Sequence, residues 1–267
     1  MDSLAGHTLL AVLAHPDDES IACGGTLAML SELGVRVVLL CASRGERGAL
    51  SGPARDDRLG TIRARELLDA STCLGVSDVV LLNHPDGELR WAGVTALGAE
   101  IAMAVERFRP AAIITFGADG LYWHLDHIGI HERTTTAVQR LGAAAPPLYY
   151  VTMPSGVMRG IVESARVRGW SPPLKGLWSL VPDAWGLGAE PAEIVVDVKP
   201  WVARKLAAIR AHRSQVAAES PLGTVSIDDA VHWLGVEHFH RGPGGGPTNQ
   251  VLERLVTREL RIPMADC

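Results

Sequence analysis

Thr8 to Ala28 reads TLLAVLAHPDDESIACGGTLA, and this stretch decides how the rest of the chain is read. Thr8 to Ala14 is nearly unbroken apolar sequence of the kind that forms a buried strand. A helical pattern begins near Ser20 and carries Ile21, Leu27, Leu30 and Leu33. Between the two lies His15-Pro16-Asp17-Asp18-Glu19. Burying four ionisable side chains beside a core strand costs several kcal/mol, and a divalent metal is the commonest compensation. The plainer reading is a polar turn that caps the helix, since Asp and Ser are good N-caps. A second motif of matching chemistry further along outweighs it.

Working outward, Val35 to Ala42 (VRVVLLCA) repeats the strand signature and Leu59 to Leu74 the helical one. Asp78 to Leu82 predicts a third strand, Thr95 to Phe108 a third helix, and Ala111 to Phe116 a fourth strand, with a helix following near Ile128. Strands alternating with helices predict an α/β fold: a Rossmann-like three-layer α/β/α sandwich around a mostly parallel sheet. In such folds functional groups gather beyond the carboxyl ends of the strands. The loops there are His15 to Glu19, Ser43 to Asp57, Asn83 to Trp91 and Gly117 to His127.

From Met153 to about Glu190 the periodicity fails, while Pro, Gly and the tryptophans Trp170, Trp178 and Trp185 accumulate, either as packing anchors or as a platform for substrate. A strand at Glu193 to Val198 and a helix from Pro200 to about His212 follow. Gly242 to Pro247 (GPGGGP) follows no strand and opens no helix, so it predicts a flexible loop and no phosphate cradle. The expected organisation is a catalytic core over 1–152, a pocket-shaping insertion over 153–192, and a segment over 193–267 that completes the same domain.

The 267 residues are 47% hydrophobic with a formal net charge of −5, enough for one large core. No apolar run approaches the roughly 20 residues that span a bilayer, and the start lacks a basic leader, so a cytoplasmic protein is expected. Mild acidity without a basic tract argues against nucleic acid. Cys23, Cys41, Cys73 and Cys267 form no C-x-x-C pair and are expected as reduced thiols, Cys23 as a small core residue.

A catalytic zinc takes three protein ligands and keeps a position for water. His15 and Asp18 can converge on one ion from the first loop. The third ligand must come from elsewhere, and the loop after the fourth strand offers His124, Asp126 and His127. Strands one and four are neighbours at the switch point of common doubly wound sheets, which brings the loops face to face. Asp17, beside a ligand but not needed as one, fits a base that takes a proton from the bound water. His131, four residues after His127, is expected on the helix surface, and Glu19 as a hydrogen-bonding partner of its loop or a counter to the helix dipole.

A-H-P-D-D-E after one strand and H-L-D-H after another resemble the LmbE-like, PIG-L family of zinc-dependent N-acetylglucosaminyl deacetylases. That resemblance implies His15, Asp18 and His127 as metal ligands, Asp17 as general base, His124 as electrostatic or acid partner, and Asp126 as the residue that orients it. It also implies substrate contacts at Arg63 (RAREL), Asp86 (HPDGEL) and Tyr122. Lys205 to Gln215 (KLAAIRAHRSQ) resembles a family segment as well. Relatives often carry Gly and Pro where this chain has Trp123 and Leu125, substitutions that narrow the pocket or change the substrate. The function implied is hydrolysis of an N-acetyl group from an amino-sugar small molecule, with Zn2+, or Fe2+ in its place, as cofactor. The alternatives are an amidase of a larger thiol conjugate and a non-catalytic sugar-binding module. No nucleic-acid or membrane partner is implied, and a homo-oligomer is left open.

Overall fold

The computed structural model describes residues 4–48, 58–91, 94–171, 179–243 and 252. Part of the loop Ser43 to Asp57, Trp178, most of Gly242 to Pro247, and Cys267 lie outside them. The strands are β1 (Thr8–Leu13), β2 (Arg36–Ser43), β3 (Asp78–His84), β4 (Ala112–Phe116), β5 (Leu148–Thr152), β6 (Ile194–Asp197) and β7 (Val236–Arg241). They form one sheet in the order β3-β2-β1-β4-β5-β7-β6. The first five are parallel, and β7 pairs antiparallel with both β5 and β6. The fold is the predicted α/β class. Leu9 to Leu13 of the central β1 are at most 1% exposed, and each large side chain removed from water there contributes roughly 1.5–3 kcal/mol. A strand covered on both faces needs such a continuous apolar run.

The helices are α1 (Asp18–Glu32), α2 (Leu59–Leu74), α3 (Val94–Phe108), α4 (Gly120–Trp123), α5 (Leu125–Gln139), α6 (Val157–Val167), α7 (Val202–Ala211), α8 (Pro221–Thr224) and α9 (Ile227–Leu234). Among the described residues, none is long and apolar enough to cross a membrane. α1 is broken at Cys23 (φ −148°, ψ 19°). Its second piece starts afresh, and the amides of Gly25 and Thr26 donate to the Glu237 carboxylate of β7 at 2.8 and 2.8 Å. Lys205 of α7 balances that carboxylate at 2.6 Å. Gly25 is required because a Cβ there would sit 2.5 Å from Val198.

Two expectations need correction. The region from Met153 to Glu190 is not without periodicity: α6 buries Met158, Ile161, Val162 and Ala165 at i, i+3, i+4 and i+7. Its brevity and the intervening Arg, Glu and Ser hide the stripe. The strands β5 and β7 are also additions. β7 reads VEHFHR, whose His and Glu residues disguise an alternation that buries Glu237 and Phe239.

Candidate metal centre and active site

β1 and β4 are adjacent, so the loops leaving their carboxyl ends meet, as their motifs require. The first loop does not form a simple cap. Asp17 occupies the N-cap position of α1, yet its side chain accepts no capping hydrogen bond and its backbone has φ +118°. Such a conformation in a residue with a Cβ costs on the order of 1–3 kcal/mol and persists only where surroundings enforce it. Asp18 reaches back to the His15 amide at 2.7 Å.

His15, Asp18 and His127 come together. The Asp18 carboxylate lies 3.5 Å from His15 Nδ1 and 3.2 Å from His127 Nε2. His124 joins them, its ring 5.0 Å from that of His15 and 4.6 Å from that of His127. Among the described residues, ligand atoms of His15, His124 and His127 form one close group, and those of His15, Asp86 and Asp126 another. His127 Nδ1 faces the Gly120 carbonyl at 3.1 Å. Its Nε2, turned toward Asp18, is buried and makes no hydrogen bond. A metal-binding histidine is oriented in this way, through the hydrogen bond of its other nitrogen. The ring stacks on Phe116 at 3.9 Å, which fixes its plane.

Three carboxylates converge on His15. Its Nε2 lies 3.0 Å from Asp126 and 3.1 Å from Asp86, and Asp18 faces its other nitrogen. Burial opposes a charge there, but the three partners outweigh it and the imidazole pKa lies well above its ordinary value. The same contacts, with those to His127, hold Asp18 well below the usual carboxylate range despite its burial. The cluster therefore favours a cation in its midst. Asp86, also buried, is held at about 2, chiefly by His15.

Asp126 orients a histidine through its carboxylate, but that histidine is His15, where the family resemblance implies His124. Its two oxygens also accept the amides of Gly87 and Leu89 at 2.7 and 3.0 Å, pinning the β3 loop to α5. The Asp126 link to His124 runs through the backbone, whose amide donates to His124 Nδ1 at 3.3 Å. With that nitrogen accepting, the proton of a neutral His124 sits on Nε2. Burial and the two neighbouring histidines lower its pKa to about 4.

Arg63 is 4% exposed, and its guanidinium donates to the carbonyls of Pro16 at 2.5 Å and Gly45 at 2.8 Å. It also lies 3.2 Å from the Asp17 carboxylate. Gly45 (φ +63°) leaves the space this side chain occupies, since a Cβ there would collide with Nη1. Tyr122 stands with its ring 5.6 Å from His124 and 5.3 Å from His127, and Trp185 of the insertion packs on it at 4.3 Å. Burial pushes its phenol well above the ordinary value. Trp123 takes φ +64° and remains 54% exposed, its indole donating to the Leu187 carbonyl at 2.9 Å. His131 is half-buried on α5, facing the Phe116 carbonyl at 3.0 Å and leaning on Tyr150 at 4.7 Å. It lies outside both groups of converging ligand atoms.

Residues 10–138 match the family described as PIG-L: GlcNAc-PI de-N-acetylase. The chain is 30% identical over 256 residues to a 1D-myo-inositol 2-acetamido-2-deoxy-alpha-D-glucopyranoside deacetylase of Acidothermus cellulolyticus, covering 87% of each chain. It is 33% identical to the enzyme of that name in Rhodococcus jostii, over 86% of this chain and 90% of the relative. It belongs to the PIG-L family. Its fold is also that of the N,N'-diacetylchitobiose deacetylase of Pyrococcus horikoshii, with a TM-score of 0.59, 21% identity, and 89% of this chain and 84% of the other covered.

In this PIG-L family chain two further groups stand behind the motif loops. Glu66, three residues after Arg63, accepts both the amide and the hydroxyl of Ser214 at 2.8 and 2.6 Å. His212 Nε2 meets Glu19 at 2.7 Å, and both residues are 0% exposed. The A-H-R-S-Q segment stands out in the sequence, but its pattern does not single out His212. The available signal is the demand of a buried Glu19 for a polar partner.

Proposed function

We propose that the chain removes the N-acetyl group from the amine of an N-acetylglucosaminyl small molecule with the help of a divalent metal, zinc or iron(II). The observation that carries this reading is the convergence of buried His15, Asp18 and His127, with His127 Nε2 3.2 Å from Asp18 and making no hydrogen bond. The donor set, two imidazoles and a carboxylate, fits such an ion. The curated relatives act on a 2-acetamido-2-deoxy-glucopyranoside of inositol by name, which supports the substrate class.

His15, Asp18 and His127 would hold the ion, which supplies Lewis-acid polarisation and lowers the pKa of a water. Asp17 takes the proton of the attacking water at its carboxylate. Burial raises that group to about 6 against the pull of Arg63, so it is ionised and still basic at neutral pH. His124, neutral with its proton on Nε2, donates to the amide oxygen as negative charge gathers there. The water oxygen bonds to the carbonyl carbon, the C–N bond breaks, and the proton held by Asp17 passes to the departing amine. Asp86 and Tyr122 line the pocket and contact the sugar. Trp185 and Gly186 of the insertion shape its mouth, since Gly186 donates to the Leu121 carbonyl at 2.8 Å and Trp185 packs on Tyr122.

The deciding experiment measures amine release from N-acetylglucosaminyl compounds with different aglycones, using metal-loaded and chelated protein. Metal-dependent release is expected. Bound metal with no release from any compound would overturn the reading. His127→Ala is expected to weaken metal binding by more than the roughly 10–100-fold lost with a supporting partner of a ligand, read by metal titration. The kcat/KM is expected to rise with pH and level off above about 6 as Asp17 loses its proton; a profile flat through that range would remove Asp17 from this step.

A further inference from the structure

The left-handed backbone of Asp17 is enforced from two sides. On one, Arg63 meets the carboxylate at 3.2 Å and the preceding carbonyl at 2.5 Å. On the other, the Asp17 amide donates to Glu19 Oε2 at 3.0 Å. The second oxygen of Glu19 accepts the Ser20 hydroxyl at 2.5 Å and faces His212 Nε2 at 2.7 Å. Glu19 is not needed to cap the helix, because the amides of Ser20 and Ile21 already donate to the Asp17 carbonyl at 3.2 and 3.2 Å. One oxygen of its carboxylate fixes the Asp17 amide instead, and the other is itself fixed from a distant helix end. His212 terminates α7, which packs on both α1 and α2, so its position is set by the core and not by the loop.

We propose that Glu19 and His212 are positioning residues for Asp17, clamping its backbone so that its carboxylate faces the reacting water. Neither touches substrate. The inference rests on the reading of Asp17 as the base, and it assigns work to a histidine 193 positions away from the loop it controls.

The test compares His212→Gln with His212→Asn. Glutamine places an N–H where Nε2 lies and reaches Glu19; asparagine offers the same chemistry one bond too short. Misplacing a reacting group by an ångström costs about 100-fold, and a loss of that order in kcat is expected for Asn, with KM and bound metal unchanged and most of the loss recovered in Gln. Equal kcat in the two variants, or a loss that follows metal content, overturns the proposal. A second readout needs no turnover. Asp17→Gly should melt higher than Asp17→Ala, because only glycine adopts φ +118° without strain. Adding His212→Asn should narrow that gap as the loop relaxes, and an unchanged gap overturns the clamp. Should the unaltered protein release no amine from any substrate, the deacetylase reading fails while the melting comparison still decides the clamp.

Discussion

Asp17→Asn is expected to lower kcat by roughly 10²–10⁴, the range that a positioned general base supplies, while KM and metal content stay as they were. The amide cannot take a proton from water, yet it fills the same space and keeps a carbonyl oxygen for Arg63. The chain is expected to fold normally. Arg63 retains the Pro16 and Gly45 carbonyls, and the buried carboxylate that disappears was held up at about 6 by its own desolvation. Kinetics with metal analysis on the same preparation check this. Turnover at the unaltered rate would remove Asp17 from the base role.

The largest effect on stability is expected at Glu237. Its carboxylate is 3% exposed and serves three donors: Lys205, itself 2% exposed, and the amides of Gly25 and Thr26. Glu237→Gln removes the counter-charge and replaces an accepting oxygen with an N–H₂ that faces a donor. Breaking one side of a buried pair costs roughly 3–5 kcal/mol, a large share of the roughly 5–15 kcal/mol that holds a typical domain folded. Lys205→Met should cost less, since Glu237 keeps both amides and loses only its ammonium partner. Urea unfolding of the two variants checks the order, and equal midpoints would refute it.

The parts of the fold legible in the sequence are those whose pattern is set by burial on both faces. β1, β2 and β4 read as apolar runs because their buried positions are almost all apolar. The bounds of α2 at Leu59 and Leu74 are equally legible, since Gly75 closes it in a left-handed cap. β7 escapes because its buried positions include Glu237, whose polarity makes sense only with α1 and α7 in place. The candidate site is legible in the convergence of its two motifs. What stays hidden is which atoms face which. Asp126 turns to His15 because the β3 loop presents two amides beside it, and no spacing along the chain encodes that meeting. His212 is hidden for the same reason: the need of Glu19 for a partner is visible in the sequence, but the identity of that partner depends on how α7 packs.

The break in α1 has a consequence for biosynthesis. The H-P-D-D-E loop emerges from the ribosome early, but the supports for its helix arrive late. Lys205 and His212 come nearly two hundred residues later, and Glu237 is later still. Until they are made, the amides of Gly25 and Thr26 lack their acceptor and Glu19 lacks its partner. A nascent chain halted before His212 would carry every residue of the two motifs and still lack the partners of Glu19 and of the Gly25 and Thr26 amides. Contacts this distant along the chain are formed slowly because loop closure precedes their reward. The first loop and the break in α1 therefore gain their distant supports only once α7 and β7 dock.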